Sequence, residues 1–402
     1  MSASHLVLRA RRILTPLEEI TDGAVEIIGE KIRAVGPAAT IGRPAGARFI
    51  ECGDATIVPG FIDLHIHGSG GYSVMDGPEA VAAVSRVIAA HGVTAWLPTL
   101  TPRATLGELI DRIRACCAGG AKVSGGAEPV GLHLEGPFLS PRRPGAIRSE
   151  WFRAPSVPEL DQLLAAGQGQ VRLVTLAPEL PGGLDLVRHL VERTVTVSIG
   201  HSDASHEEAL AAIAAGVRHA THMFNAMRGF QHRAPGVVGA VLASPTVVCE
   251  LIADGVHVDP LAMRLLIQAT GWSRIAVITD AVAPAGLGDG AYEFEGRPIV
   301  VREGRATLAD GTIAGSVATF DANLRRVARL ADLDLRAVIA MATIVPARQV
   351  HLDDRKGSLS GGRDADLVVL DVDLRVKLTV ARGAIVFNAL GTAGHGAPGD
   401  RD

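Results

Sequence analysis

An alternation in the middle of the chain constrains its fold more than any other feature. Eight apolar, strand-like runs occupy residues 56–67, 92–100, 129–135, 171–177, 194–201, 216–224, 247–255 and 274–281. Helical stretches separate most of them. Residues 78–92 open on Pro78 and close on Gly92, and 260–271 open on Pro260 and close on Gly271. Residues 205–216 carry Ser205 as an N-cap, with Glu208 three residues later as its capping-box partner. Strands alternating with helices imply parallel βαβ units, and eight such units are what an α/β protein with a (β/α)8 TIM barrel needs. An open doubly wound sheet is the competing topology, and it usually carries a phosphate-binding loop. The candidate loop, Gly68-Ser69-Gly70-Gly71, puts Ser73 where a third glycine is required, and neither a Walker A sequence nor G-x-S-x-G is present.

The two ends read differently. HLVLRARRIL, DGAVEIIGEKIRAVGP and ARFIECG near the start, and the stretch from Lys356 onward, are short alternating strands broken by Gly and Pro. They predict a small β-sandwich domain built from both termini, residues 1–56 and 351–390, around a barrel over 57–350. The Gly-rich segment 391–402 is expected to be a flexible tail.

Composition removes several functions. Acidic residues number 43 against 39 basic ones, and aromatics make up 3%, so neither a basic face nor a stacking platform for nucleic acid is expected. Apolar runs stay short of the ~18 residues of a membrane span. Arginines interrupt the apolar stretch of MSASHLVLRARRIL, which argues against a secretory signal. Cys52, Cys116, Cys117 and Cys249 form no C-x-x-C pair, and the expectation is a reduced, cytoplasmic protein.

In a TIM barrel, catalytic groups sit at the C-terminal ends of strands. The first run ends in His65 and His67, which as alternate residues share a face. The third ends in Glu135, the fifth in His201, the sixth carries His222, and the eighth ends near Asp280. A single buried histidine is more often a hydrogen-bonded core residue than a ligand, and a single strand-end carboxylate is usually a cap. Six such groups on one rim are harder to explain in that way. Imidazole and carboxylate without thiolate suit Zn²⁺, Fe²⁺, Mn²⁺ or Co²⁺. A catalytic site of this kind activates water and polarises a carbonyl. A nearby carboxylate, here Asp280, then serves as general base and acid. The residues alone therefore suggest metal-assisted hydrolysis of an acyl bond.

Pro59-Gly60-Phe61-Ile62-Asp63-Leu64-His65-Ile66-His67 and the segment Gly362–Leu370, GRDADLVVL, resemble motifs of the amidohydrolase superfamily. Within it, five segments in order resemble the N-acetylglucosamine-6-phosphate deacetylase family: GLHLEGPF (131–138), GHSDA (200–204), HMFNAM (222–227), ADGVHVD (253–259) and TDAVAPAG (279–286). The resemblance implies hydrolysis of the N-acetyl amide of a phosphorylated amino sugar, giving glucosamine 6-phosphate and acetate. It implies one or two divalent ions, zinc first, with iron, manganese or cobalt as alternatives. Glu135, His201 and His222 resemble the principal ligands. His65 and His67 would hold a second ion, with Glu135 bridging, and Asp280 resembles the base and acid. His257, Arg233 and the backbone amides of Asn225 and Ala226 resemble phosphate contacts, the arginine reaching across a homodimer interface. Thr312, Ala314, Gly315 and Ser316 resemble a loop near the sugar. His133 shares the face of Glu135 and would orient the site, touch substrate or pack in the core.

One segment departs from the family. Pro144-Gly145-Ala146-Ile147 stands where many relatives carry Lys-Gly-Ala-His, so a substrate-contacting histidine is replaced by an isoleucine. A different N-acyl sugar is therefore an alternative substrate. A cyclic amide or N-acyl amino acid is a further alternative. That subgroup often bridges its metals with a carboxylated lysine, and the third and fourth strand runs contain no lysine.

Overall fold

The computed structural model describes residues 4–16, 18–121, 123–330 and 333–391, so the tail expected from 392 onward lies outside the described residues. Eight parallel strands form the barrel: β1 Phe61–Ile66, β2 Val93–Leu100, β3 Leu132–Glu135, β4 Val171–Leu176, β5 Thr196–Ile199, β6 His219–Ala220, β7 Val248–Ile252 and β8 Ile275–Ile278. Each pairs with the next in chain order. A parallel bridge between Ile66 and Ala281 closes the ring. Every expected barrel run has its strand, with two differences. The run over 56–67 divides at Gly60: Thr56–Pro59 joins the terminal sheet, and the barrel begins at Phe61. A side chain at residue 60 would meet Thr94 Oγ1 at 2.0 Å, so only glycine lets the chain pass from one sheet to the other there. The sixth strand is much shorter than 216–224, because His222 and Phe224 take positive φ (27° and 79°) and turn the chain.

The expected helices form at Pro78–Ala89, His206–Ala215 and Pro260–Thr270. The Ser205–Glu208 capping box is formed, and Asp259 caps the third of these helices. Phe61, Trp96, Leu134, Val174, Val197 and Val277 pack outward into the main core. Ile62, Leu64, Leu97, Leu173, Ile252 and Ile278 fill the barrel floor with Ala347, Val350 and Leu352.

The termini form one eight-stranded sheet, from Ala384–Asn388 at one edge through Thr56–Pro59 and His5–Leu14 to Lys31–Pro37 at the other. Leu8, Val25, Ile57, Leu367, Leu378 and Val380 share one core, and Ile32 N–H donates to Arg363 O, so the sheet folds back on itself. A second antiparallel sheet, unforeseen in sequence, follows β8: Gly290–Phe294, Arg297–Arg302, Arg305–Thr307 and Ile313–Ser316. Its first two turns place Glu295-Gly296 and Glu303-Gly304 at positive φ, as tight hairpin turns require. Among the described residues, no helix is long and apolar enough to cross a membrane.

Phe320 begins the helix Phe320–Leu330 and stacks on Phe61 with ring centroids 5.4 Å apart. Asp321 beside it accepts from His91 Nδ1 at 3.0 Å, Thr319 Oγ1 at 2.6 Å and Arg325 Nη1 at 2.6 Å. Burial opposes its charge, yet His91 and Arg325 hold its carboxyl well below the usual range. We expect Asp321→Asn to lose about 2–4 kcal/mol of stability at neutral pH. A depressed folded pKa stabilises above the unfolded value of about 4, and that stability is lost as pH falls through the folded value. The gap between wild-type and variant Tm should therefore narrow between pH 7 and pH 3. A gap that does not change with pH would contradict this account.

Candidate active site

Each candidate side chain leaves the C-terminal end of a strand. His65 lies within β1, beside a register irregularity between Asp63 and Ile66, and His67 follows one residue after the strand. Glu135 ends β3, and His201, His222 and Asp280 stand two residues beyond β5, β6 and β8. Those last three adopt left-handed φ (47°, 27° and 50°), a conformation costly for non-glycine residues and concentrated at functional sites. The Asp63 carboxylate fixes β1 to β8, accepting from Thr279 Oγ1 at 2.6 Å and from the backbone N–H of His65 and Thr279. Burial pushes its carboxyl up to about 7. Asp280 N–H donates to His65 O at 2.8 Å.

Four imidazoles turn Nε2 toward one point. Glu135 Oε1 lies 3.1 Å from His201 Nε2, 3.0 Å from His222 Nε2 and 3.4 Å from His65 Nε2. Its Oε2 lies 3.4 Å from His67 Nε2. Asp280 Oδ1 is 3.2 Å from His67 Nε2 and 3.4 Å from His65 Nε2. Two triads, Glu135–His201–His222 and His65–His67–Asp280, therefore meet at Glu135. Ligands ~2.0–2.1 Å from a tetrahedral ion stand roughly 3.3 Å apart, so these donors are spaced as such an ion requires. The Nδ1 atoms point away from that centre. His67 Nδ1 lies 3.1 Å from Thr99 O, His201 Nδ1 2.9 Å from Arg143 O, and His222 Nδ1 3.2 Å from Asn225 O. His65 Nδ1 lies 2.9 Å from Glu250 Oε2. With Nδ1–H donating outward, all four Nε2 lone pairs face inward, the tautomer a metal ligand needs.

Burial opposes charge on Glu135 and Asp280, but the neighbouring histidines, His65 first, hold both carboxyls below their ordinary values. His65 itself is raised despite burial, by Glu250, Glu135 and Asp280. His133 is depressed to about 3 by burial and by His65. It sits fully buried against the His65 ring, with Nε2 2.7 Å from Thr175 Oγ1 and Nδ1 3.2 Å from Leu64 O. Both nitrogens are engaged, so the structure packs His133 behind the site and leaves it nothing to offer substrate.

The phosphate candidates are less tightly assembled. His257 is held by Asp254, with Nδ1 2.7 Å from Oδ2. Asn225 N–H donates to His222 O at 2.9 Å within the loop. Ala226 sits at φ 46°, and its N–H meets no acceptor among the described residues. Arg233 is exposed and forms no ion pair among the described residues. Ala314 is fully buried in the core of the inserted sheet with Ile299, Val301 and Ala306. Its segment, expected as a loop, is a strand. Neighbouring Ser316 donates its N–H to Asp280 O at 2.9 Å and so helps fix Asp280.

Residues 56–388 match the amidohydrolase family. The chain belongs to this family. It is a hydrolase, and N-acetylglucosamine-6-phosphate deacetylase from Bacillus subtilis is 37% identical over 96% of this chain and 98% of that protein. N-acetylgalactosamine-6-phosphate deacetylase from Escherichia coli is also 37% identical, over 94% and 98%. The structure superposes with a TM-score of 0.89 on N-acetyl-D-glucosamine-6-phosphate deacetylase from Mycobacterium smegmatis, solved as an aspartate-to-alanine mutant in complex with N-acetyl-D-glucosamine-6-phosphate. That protein is 36% identical, over 95% of this chain and 99% of that one.

Two features of this amidohydrolase escaped the sequence reading. Glu250, in the middle of β7, accepts from His65 Nδ1, from His219 Nε2 at 3.1 Å and from His222 N–H at 3.0 Å. The available signal was a lone glutamate in the apolar run VVCELI. Asp203 gathers Arg142, Arg143 and Arg228, tying the 142–148 loop to the loop that follows His222. The departing segment lies close by. A Cβ at Gly145 would stand 3.2 Å from His201 Cε1, and the Ile147 side chain is buried.

Proposed function

We propose that this amidohydrolase hydrolyses the N-acetyl amide of N-acetylglucosamine 6-phosphate to glucosamine 6-phosphate and acetate. The observation that carries this reading is the convergence of four Nε2 atoms and two carboxylates on one point at the barrel mouth. The donor set fits one or two divalent ions, zinc foremost, at Glu135, His201 and His222 and at His65 and His67. A bound ion would supply Lewis acidity toward the acetyl carbonyl and make water a better nucleophile at neutral pH. Asp280, held ionised beside His65 and His67, is placed to take a proton from the attacking water. It then returns that proton to the sugar nitrogen as the C–N bond breaks, so the amine leaves neutral and acetic acid is released, ionising to acetate. His257, the Ala226 N–H and Arg233 would receive the phosphate, a dianion that calls for donors and positive charge. An arginine as exposed as Arg233 suits the expected homodimer, in which it would reach a partner's site. Four free cysteines suit a reduced, cytoplasmic setting.

A galactosamine epimer is the second reading. The N-acetylgalactosamine-6-phosphate deacetylase is as similar as its glucosamine counterpart, and Ile147 removes a polar contact at the rim. The test is acetate release by metal-loaded protein from N-acetylglucosamine 6-phosphate, N-acetylgalactosamine 6-phosphate and N-acetylglucosamine. We expect kcat/KM for the first to exceed that for the unphosphorylated sugar by at least ~10²-fold, as loss of a charged anchor implies. Equal values for the phosphorylated and plain sugars would remove the phosphate reading. A preference for the galacto compound would establish the second.

A further inference from the structure

Three of the four inward-facing histidines are oriented by neutral backbone carbonyls, those of Thr99, Arg143 and Asn225. His65 alone among them is oriented by a charge. Glu250 is fully buried, and its Oε2 accepts from both His65 Nδ1, at 2.9 Å, and His222 N–H, at 3.0 Å. Its Oε1 accepts from His219 Nε2, whose Nδ1 lies 3.2 Å from Gln349 Oε1. One carboxylate thus sits beneath both halves of the site. It grips the ring of a residue from one triad and the backbone of a residue from the other.

We propose that Glu250 is a positioning residue that determines whether the His65–His67 half of the site holds a metal ion. The inference rests on the metal reading given above. A carboxylate on the far nitrogen fixes the ring and makes Nε2 a stronger donor than a carbonyl does, and loss of such a partner typically costs 10–100-fold in metal affinity. The Glu135–His201–His222 half has its own carbonyl acceptors and touches Glu250 only through a backbone N–H. Glu250→Gln separates the two roles. Its amide oxygen can still accept from His65 and His222. Its NH2 faces His219, which can adapt by exchanging tautomers against Gln349. The shape is kept and the charge is lost.

Metal-stripped wild type and E250Q are titrated with Zn²⁺ against a chromophoric chelator, and the cobalt-substituted forms are compared by visible absorption. Wild type should bind two equivalents. E250Q should bind one with affinity within about threefold of wild type and the other 10–100-fold more weakly, with the cobalt bands of that second equivalent lost or shifted. His65→Asn should lose the same equivalent. Two equivalents at wild-type affinity in E250Q, or equal weakening of both, would overturn the proposal. Failure of wild type to bind any metal would instead overturn the metal reading, a separate result. Should E250Q not fold, ¹⁵N-histidine NMR of the zinc-loaded wild-type protein decides. His65 must carry its proton on Nδ1, and a proton on Nε2 overturns the assignment.

Discussion

Asp280→Asn should lower kcat for acetate release about 10³-fold, within the range typical of a lost general acid–base group, while metal content stays at the wild-type level. Asparagine keeps an oxygen where Asp280 Oδ1 stands, 3.2 Å from His67 and 3.4 Å from His65. It keeps the backbone bonds to His65 and Ser316 as well. An amide, however, cannot take the proton of an attacking water or return it to the departing nitrogen. KM should change little, because the proposed phosphate contacts lie on other residues. A variant that retains more than a tenth of wild-type kcat would take the proton-transfer role away from Asp280. A variant that loses metal as well would make it chiefly a ligand.

The second large effect concerns stability and lies at the opposite end of the barrel. Lys356 is buried, and its ammonium lies 2.5 Å from Asp366, 2.7 Å from Glu128 and 3.1 Å from Asp364. Glu128 precedes β3, whereas Asp364 and Asp366 lead into the terminal sheet, so this cation joins the sheet to the barrel. Lys356→Met should destabilise the protein by about 3–5 kcal/mol, because three carboxylates lose their central counter-charge. Arg355 and Lys31 reach Asp364 and remain, which leaves Asp366 the most exposed to the loss. Burial already raises the Asp366 carboxyl even with Lys356 present. Without the lysine it should rise further, and a raised carboxylate pKa means destabilisation that is relieved as acid protonates the group. The deficit of K356M in thermal unfolding should therefore shrink from pH 7 to pH 5, and Asp366→Asn added to K356M should recover part of it. A deficit below 1 kcal/mol would show that the cluster is dispensable.

The barrel was legible because its signals are local and repeated. Pro78, Ser205 and Pro260 each mark a helix start, and every barrel run keeps its apolar character along the chain. The six convergent residues were legible because strand ends in this topology share one rim, so His65, Glu135 and Asp280 could be grouped without knowing any distance. Glu250 was not, because a buried glutamate declares its role only through partners 28 and 185 residues away. The hydrogen bond from Asn225 N–H to His222 O depends on a left-handed turn that residue types do not specify. The inserted sheet of 290–316 was hidden by its exposure. Its strands alternate without apolar runs, and its core is four small or β-branched residues.

The most direct test of the central claim is acetate release from N-acetylglucosamine 6-phosphate by one preparation in three states: as purified, stripped by a chelator, and reloaded with zinc. Metal content is measured in each. The account predicts one or two ions per chain in the purified protein, loss of at least ~99% of activity on stripping, as the loss of a Lewis acid worth several kcal/mol implies, and recovery on reloading. Undiminished acetate release from metal-free protein, or a fully loaded protein that releases none, would contradict it.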